Sequence, residues 1–274
     1  MISVNLTTTS SRLGLCSATI WSLIHQTKKP DKIFLWISQE GYLSDEGIKT
    51  IPSWIDELNS ILNIIEVKFV ENTGPYRKII NAIRLSNQSD ILVYVDDDVI
   101  YGDKWLETLL HAFYENKSKL AIASRIRAVK RNIFGTVQSY SRYRVCKKPI
   151  QFNCDYIITG VGGCVLTKNM ISEALINNDD YILLAPKTDD LWISKILELS
   201  GTVVEACPKA LTYVDEIDHK NNALNLSNMH QMKGSNAVLK LINKIVQRVL
   251  AYFGLQRTNN DISIKKISSY FKNK

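Results

Sequence analysis

The stretch Asp90-Ile-Leu-Val-Tyr-Val-Asp96-Asp97-Asp98-Val-Ile-Tyr101 decides the fold class of this chain. Its first half is a run of apolar and β-branched residues, which is typical of a buried strand in a parallel sheet. Three carboxylates follow directly, and residues 102–106 then predict a turn and a new helix. Because open α/β sheets bind ligands at the carboxyl ends of their strands, we expect a ligand site at these aspartates.

Three adjacent carboxylates repel one another and lose hydration when they are buried, so folding stability alone does not favour them. A divalent cation removes this problem, since hard oxygen ligands hold Mg²⁺ or Mn²⁺ and the metal in turn holds a diphosphate. Side chains alternate along a strand, so we predict that Asp96 and Asp98 point one way, as the working pair, and that Asp97 points the other way. The alternative is an acidic turn that caps the next helix, for which one aspartate would suffice.

The 274 residues suffice for one large α/β domain or for two fused halves. The net charge of +7 favours an anionic partner, such as a membrane surface or an anionic substrate. Nucleic acid is not an expected partner, because the aromatic-interleaved basic pattern of a single-strand binder is not evident. Five cysteines without a CxxC pair, no signal-peptide pattern and no membrane-spanning apolar run together predict a cytoplasmic protein.

Strand and helix patterns alternate along the first half of the chain. Apolar runs predict strands, at 2–6, 32–38, 66–70 and 120–124 beside the aspartate strand. Amphipathic periodicity predicts helices, at 13–25, at 44–62 with a break or a second helix start at Pro52, from Tyr76 onward, and at 105–116. Such alternation is typical of a doubly wound, mostly parallel sheet, so we predict an α/β fold of this kind.

Two polar segments follow predicted strand ends. The hydroxyl-rich residues 7–11 are suited to cap the next helix, whereas Arg12 is suited to face a nucleotide, and both interpretations stay open. Arg77 and Lys78 lie at a loop-to-helix junction after Gly74-Pro75. That position suits a phosphate site, and a solvated charge pair fits it as well.

The second half contains three further segments of interest. Residues 125–155 are basic and aromatic with weak periodicity, which predicts an irregular start of an acceptor-binding half or a solvated basic face. Three glycines then interrupt the apolar run 156–166, which indicates either a backbone that something approaches closely or a simple bulge. Asp189 and Asp190 open a helix predicted to end near Leu199, and a carboxylate held at a helix start is suited to a general base.

Residues 236–253 predict a basic amphipathic helix, and the tail to Lys274 adds more cations. One interpretation is a helix packed on the domain with a loose tail. The other is an interfacial helix on an anionic membrane, with cations at Lys240, Lys244 and Arg248, and we favour it for helix and tail together. His230, before this helix, is either structural or a contact for a metal or a phosphate.

The order of these segments is similar to that of GT-A fold glycosyltransferases. Val95-Asp96-Asp97-Asp98 resembles their DXD motif, and the segments at 74–78, 162–163 and 188–192 follow as in bacterial polysaccharide and lipopolysaccharide transferases of family 2. They are also similar to the catalytic domain of exostosin-like enzymes. The resemblance implies a Rossmann-like, mostly parallel central sheet flanked by helices. It covers a domain at 1–235, with a nucleotide-sugar half at 1–100 and an acceptor half at 101–235, before a C-terminal helix and basic tail at 236–274.

The resemblance also implies site roles. The donor would be a nucleotide sugar, most often a uridine diphosphate sugar, with Mn²⁺ or Mg²⁺ as cofactor. Asp98 would hold the metal, together with Asp96, which also contacts the ribose side, and with His230. Asp190 would deprotonate the acceptor hydroxyl with support from Asp189. The remaining contacts to the donor would come from Thr8, Arg12, Tyr76, Lys78, Asp97, Gly162 and Gly163.

We therefore expect a metal-dependent hexosyltransferase that extends a growing glycan, or a lipid-linked glycan, in surface polysaccharide or lipopolysaccharide synthesis. It would be cytoplasmic, with peripheral contact at the inner face of the cell membrane. A haloacid dehalogenase-like phosphatase is one alternative, since it also uses Asp-x-Asp after an apolar strand, although that motif normally opens its chain. A non-catalytic glycan-binding scaffold is the other, and it would not need both acid clusters.

Overall fold

A computed structural model describes residues 1–218 and 237–273, with side chains for the same ranges apart from 237–241. The first half alternates between strands and helices: β1 (Ile2–Thr7), α1 (Leu13–Ile24), β2 (Lys32–Ile37), α2 (Trp54–Ile61), β3 (Ile65–Phe69), α3 (Ile80–Leu85), β4 (Ile91–Tyr94), β5 (Val99–Tyr101), α4 (Trp105–Glu115) and β6 (Ala121–Ala123). The strands predicted from apolar runs are confirmed to within one residue at each end.

The second half has shorter elements: β7 (Ile126–Ala128), β8 (Arg144–Val145), β9 (Gln151–Phe152), β10 (Tyr156–Ile158), β11 (Cys164–Thr167), α5 (Glu173–Ile176), α6 (Tyr181–Leu184), α7 (Asp189–Leu199), β12 (Val204–Ala206), α8 (Pro208–Leu211), β13 (Val214–Glu216), α9 (Ala237–Tyr252) and α10 (Asn259–Lys272). The weak periodicity of 125–155 corresponds to short strands joined by irregular segments. Gly201 follows the end of α7 with a φ of +73°, the left-handed conformation that glycine adopts readily after a helix.

The central sheet has the strand order β3-β2-β1-β4-β11-β6-β12-β9 within the described part of the chain. The strands from β3 to β4 run parallel, and β6 and β12 also pair in parallel. β11 is antiparallel to both of its neighbours, β4 and β6, and β9 is antiparallel to β12. The predicted α/β class with a mostly parallel sheet is confirmed.

β4 lies at the centre of the hydrophobic core. Leu92, Val93, Tyr94 and Val95 are all at most 2% exposed, so side chains on both faces of this strand are covered. Burial on both faces explains why its sequence is an uninterrupted apolar run rather than an alternating one.

The helix predicted at 44–62 begins only at Trp54. Asp45 is buried, and its carboxylate accepts hydrogen bonds from the backbone N–H groups of Ser10 (3.0 Å) and Gly47 (3.1 Å). The same carboxylate pairs with Arg77 at 3.1 Å. These contacts hold the segment before Pro52 in a non-helical conformation, so tertiary structure overrides the helical pattern there.

The basic tail forms a helix, so its interpretation as loose was wrong. Thr258 and Asp261 form a reciprocal capping box at the start of α10. Near its end, Tyr270 and Phe271 pack against Trp192 of α7, with ring centroids 6.2 and 5.3 Å away. In the ranges that the structure describes, no helix is long and apolar enough to span a bilayer.

Candidate active site

The candidate site lies at the reversal point of the sheet, which is the point where strands that follow one another in the chain are added on opposite sides of β1. β2 and β3 lie on one side of β1, and β4 lies on the other. Loops that leave the carboxyl ends of β1 and β4 therefore diverge and open a crevice, which is where ligands bind in sheets of this kind. A cavity of about 180 Å³ occupies this position, lined by both aspartate clusters and by Arg12, Arg77 and Lys78.

The three aspartates after β4 lie in a turn rather than in the strand. β4 ends at Tyr94, so the alternation of side chains along a strand does not reach them. Asp97 and Asp98 both pair with Arg12, at 2.6 and 2.8 Å, whereas Asp96 pairs with Lys78. The prediction that Asp96 and Asp98 share one direction, opposite to Asp97, is therefore wrong.

The hydroxyl-rich segment after β1 contacts the aspartates after β4 and does not cap the next helix. The hydroxyl of Thr8 donates to Asp97 at 2.6 Å, and no side chain caps α1 or the short 3-10 turn before it. Arg12, which follows in the same turn, is itself the partner of Asp97 and Asp98. Thr8 and Arg12 thus reach the cavity as predicted, and the capping interpretation was wrong.

Lys78 joins the two acid clusters. Its ammonium pairs with Asp96 after β4 and, at 3.0 Å, with Asp189 at the start of α7. Burial lowers the pKa of Lys78, but the carboxylates of Asp189 and Asp96 raise it well above its usual value. The side chain therefore stays a cation at the centre of the site.

Asp190 is a half-buried carboxyl group in the first turn of α7. Its Oδ1 accepts the backbone N–H of Gly160 at 2.9 Å. Burial raises its pKa well above the usual value, the charge on Asp189 raises it further, and Lys78 acts in the opposite direction. A carboxyl group with a raised pKa beside a cavity is suited to accept a proton from a bound hydroxyl group.

The glycine segment is shaped by contacts within the protein. A Cβ on Gly160 would lie 2.5 Å from Asp96 Oδ1, and a Cβ on Gly163, whose φ is +78°, would lie 2.3 Å from Cζ2 of Trp105. Trp105 also donates its indole N–H to the carbonyl of Gly162 at 3.0 Å. Gly162 and Gly163 are not among the residues that line the cavity, so their contact with a donor stays a prediction.

Tyr76 also lies behind the cavity wall rather than in it. Its hydroxyl donates to the carbonyl of Ala185 at 2.7 Å, and its ring stacks on Tyr181 with centroids 4.1 Å apart. These contacts fix the loop that leads into α7. Tyr76 is therefore placed to position Asp189 and Asp190, and its predicted nucleotide contact stays a prediction.

Sequence reasoning missed several residues that line the cavity, among them Asp45, Tyr140 and Asn260. Asp45 holds Arg77, whose guanidinium also donates to the carbonyl of Thr8 at 3.0 Å. Tyr140 and Asn260 lie far apart in sequence, and the Tyr140 N–H donates to Asp261 at 2.8 Å. No local pattern marks these residues, because their partners are distant in the chain. His230 lies outside the described residues.

Two of the carboxylates at the cavity are placed to share a divalent metal with a bound diphosphate. In the part of the chain that the structure describes, no three His, Cys, Asp or Glu side chains form a group that could hold an ion. Asp96 and Asp98 have side chains 29% and 24% exposed, and both line the cavity. Because Mg²⁺ typically takes one or two carboxylates together with substrate phosphates, these residues fit a metal held jointly with a diphosphate.

Asp97 should reduce stability above about pH 6 in the metal-free protein. Burial raises its pKa from 3.8 to about 6 although Arg12 lowers it, so the folded state binds this proton more tightly than the unfolded state. Stability therefore falls as the pH rises from 3.8 to about 6, and it stays lower above pH 6. We expect Asp97→Asn to raise the free energy of unfolding near pH 7.5 by up to about 3 kcal/mol, and near pH 4 by much less. Urea unfolding with a chelator measures both values, and equal effects at the two pH values would contradict the assignment.

The sequence matches the family described as Glycosyl transferase family 2 over residues 17–172, which is more than half of the chain. A comparison with curated proteins finds no match. Among solved structures, the chain is similar to GalNAc-T7, in a crystal structure with UDP, GalNAc and Mn²⁺, at a TM-score of 0.54 and 13% identity. The match covers 100% of this chain and 54% of that one, so this chain spans about half the length of that protein.

A weaker match is 4-diphosphocytidyl-2C-methyl-D-erythritol synthase from Anaerococcus prevotii DSM 20548. Its TM-score is 0.40 at 12% identity, over 67% of this chain and 82% of that one, and no argument rests on it. The GalNAc-T7 likeness, at 13% identity, supports the fold, and the family match supports the activity class. From the sheet order, the cavity at its reversal point and the family match, we conclude that this chain belongs to glycosyl transferase family 2 and has the GT-A fold.

Proposed function

We propose that the protein transfers a hexosyl group from a nucleoside diphosphate sugar, with uridine as the base, to a hydroxyl group of a glycan, and that it requires Mn²⁺ or Mg²⁺. One observation carries this proposal: Lys78 brings Asp96 and Asp189 together in one cavity at the reversal point of the sheet. A non-catalytic fold does not need two acid clusters held against one cation. The GalNAc-T7 structure, which contains UDP and Mn²⁺, supports the choice of base and metal.

The donor half of the site would be built from the residues after β1 and β4. Asp98 and Asp96 are the carboxylates that would hold the metal, which would neutralise the charge of the leaving diphosphate. Arg12 and Lys78 are suited to phosphate oxygens, since charge-assisted hydrogen bonds from such groups are short and strong. Thr8 and Asp97 would hold Arg12 in position, through the hydrogen bond and the ion pair that they already make.

The acceptor half would be built around α7. Asp190 would take the proton from the attacking hydroxyl group, since it lines the cavity and has a raised pKa. Asp189, paired with Lys78, would keep that cation beside the base, and the charge of Lys78 would favour the charged form of Asp190. The attack on the sugar carbon and the loss of the acceptor proton would then occur within one cavity.

The acceptor in this proposal is a growing glycan on a lipid carrier, in the synthesis of surface polysaccharide or lipopolysaccharide. A lipid-linked acceptor would require the enzyme to work at the inner face of a membrane, and the basic helix α9 supports this location. Membership of glycosyl transferase family 2 excludes the phosphatase alternative.

A thermal-shift panel of nucleotides and nucleotide sugars, each with and without Mn²⁺, tests the donor site. Uridine diphosphate at about a hundredfold excess over its dissociation constant should stabilise the protein by about 2.7 kcal/mol, and only with metal present. We expect Asp98→Ala to lose this response and Asp103→Ala, which changes an exposed carboxylate outside the cavity, to keep it. If no nucleotide changes the melting temperature of the wild type with metal, the proposed function is wrong.

A further inference from the structure

Helix α9 carries a stripe of exposed apolar side chains. Ile242, Ile245, Val246 and Val249 are each 45–53% exposed, and their spacing of three and four residues places them on one face of the helix. Phe253, just after the helix end, continues the same face and is 42% exposed. Such a face is normally packed against the protein, so an exposed one marks an interaction surface.

A tight turn adds two more apolar side chains beside this stripe. Ile133 is 84% and Phe134 is 70% exposed. The turn is fixed in shape, because Asn132 Oδ1 accepts the backbone N–H groups of Phe134 (2.9 Å) and Thr136 (3.0 Å), and Gly135 adopts a φ of +77°. Large apolar side chains are thus held outward by a rigid backbone instead of folding back onto the domain.

The turn and the helix form one continuous surface. The Asn132 amide donates to the carbonyl of Tyr252 at 3.3 Å, and the Ile133 N–H donates to the Tyr252 hydroxyl, also at 3.3 Å. The rings of Phe134 and Phe253 stack with centroids 6.4 Å apart. Phe134 therefore extends the apolar stripe of α9, and the hydrogen bonds keep the two parts in register.

The charge of this region favours an anionic partner. The sequence of α9 contains lysine and arginine and no acidic residue. Lys244 and Arg248 are exposed and, by the helical period, lie on the side of α9 opposite the stripe, and Arg257 is exposed just beyond it. An apolar face with cations on the other face is the pattern of a helix that lies in the plane of an anionic bilayer.

A second copy of the chain fits this surface less well. In a two-fold symmetric dimer the same patch would face itself, so the apolar stripes of two copies would cover each other while Lys244 and Arg248 stayed on the outer sides of the contact. Such a dimer would offer these cations no anionic partner, because α9 has no carboxylate of its own. A bilayer surface supplies both an apolar layer for the stripe and anions for the cations.

We propose that the stripe of α9 and the Ile133–Phe134 turn together form the surface through which this enzyme binds an anionic lipid bilayer. The inference extends the membrane contact of the proposed function, and it does not depend on the donor or on the metal. It also replaces the predicted role of the basic tail, because α10 packs on α7 through Tyr270 and Phe271.

Flotation of the full chain with vesicles tests this surface. We expect the wild type to bind vesicles of phosphatidylcholine with phosphatidylglycerol, to bind pure phosphatidylcholine much less, and to lose affinity as salt is raised. Phe134→Ser and Val249→Ser should each lower the affinity, on the order of tenfold, because each removes an apolar group from the bilayer contact. Leu85→Ser is the matched control, since Leu85 is 74% exposed on α3, outside this surface.

Three results would overturn the inference: no binding of the wild type to anionic vesicles, equal binding to both kinds of vesicle, or equal losses in Leu85→Ser and Phe134→Ser. Sedimentation would also overturn it if the wild type were a dimer that Phe134→Ser dissociates. The thermal response to uridine diphosphate and Mn²⁺ is measured on the same variants. A variant that keeps this response but no longer binds vesicles is folded, so a failed donor site and a failed membrane surface give different results.

Discussion

Asp190→Asn is expected to lower the rate of sugar transfer by about 10²- to 10⁴-fold, the usual contribution of a positioned general base. The substitution keeps the size of the side chain, and its amide oxygen can still accept the N–H of Gly160. The folded state should therefore be retained, and it should gain stability, because the half-buried group no longer carries a charge. Nucleotide binding should be unchanged, since the donor contacts lie on the loops after β1 and β4.

The transfer rate of the wild type should also depend on pH in the way expected if Asp190 is the general base. Burial and the charge on Asp189 raise the pKa of Asp190, so at low pH the carboxyl group holds a proton and cannot accept another. The transfer rate of the wild type should rise with pH as this proton is lost. The low rate of Asp190→Asn should not show this rise. The release of uridine diphosphate from a UDP-sugar, with a lipid-linked glycan fraction as acceptor, measures both profiles.

Asp179→Asn is the control for this experiment. Asp179 is an exposed carboxylate that pairs with Arg84 at 2.7 Å and lies outside the cavity. Its substitution should leave the transfer rate within about twofold of the wild type, because exposed ion pairs contribute little. If Asp190→Asn were equally active, the base would have to be another group.

The position of the site could be predicted from sequence, whereas its internal geometry could not. β4 is buried on both faces, so its apolar run is visible in sequence, and the rule that ligands bind at strand ends then places the aspartates. The directions of Asp96, Asp97 and Asp98 depend on where the strand ends. Because β4 ends at Tyr94, these directions are set by Arg12 and Lys78, which come from other loops.

In the glycine segment, the sequence correctly predicts a close approach to the backbone but not the group that makes it. Gly163 does mark a close approach to the backbone, as predicted, but the group that approaches is the ring of Trp105. Similarly, the composition of the tail is basic, yet α10 is held by a few aromatic contacts with Trp192. A sequence pattern reports what a segment can do locally, and contacts between distant residues decide which option is used.

Lys78→Met should be the most damaging single change in the site. The substitution removes the cation that Asp96 and Asp189 share and leaves these carboxylates without their common partner. Breaking a buried ion pair in this way typically costs about 3–5 kcal/mol of stability. Lys195→Met is the control, since the pair of Lys195 with Glu198 is about one quarter exposed and should be worth about 1 kcal/mol or less.

The loss in Lys78→Met should depend on pH in a defined direction. Lys78 is one of the groups that keep the pKa of Asp190 from rising further, so its removal raises the pKa of that carboxyl group. The folded variant then binds protons more tightly than the unfolded chain does, and its stability must increase as pH falls toward the unfolded value near 3.8. Urea unfolding of both variants across this range measures the effect, and adding Asp189→Asn to Lys78→Met should restore part of the stability at neutral pH. A deficit in Lys78→Met that is independent of pH, with no rescue by Asp189→Asn, would mean that Lys78 acts through packing of its aliphatic stem and not as the shared counter-ion of the two acid clusters.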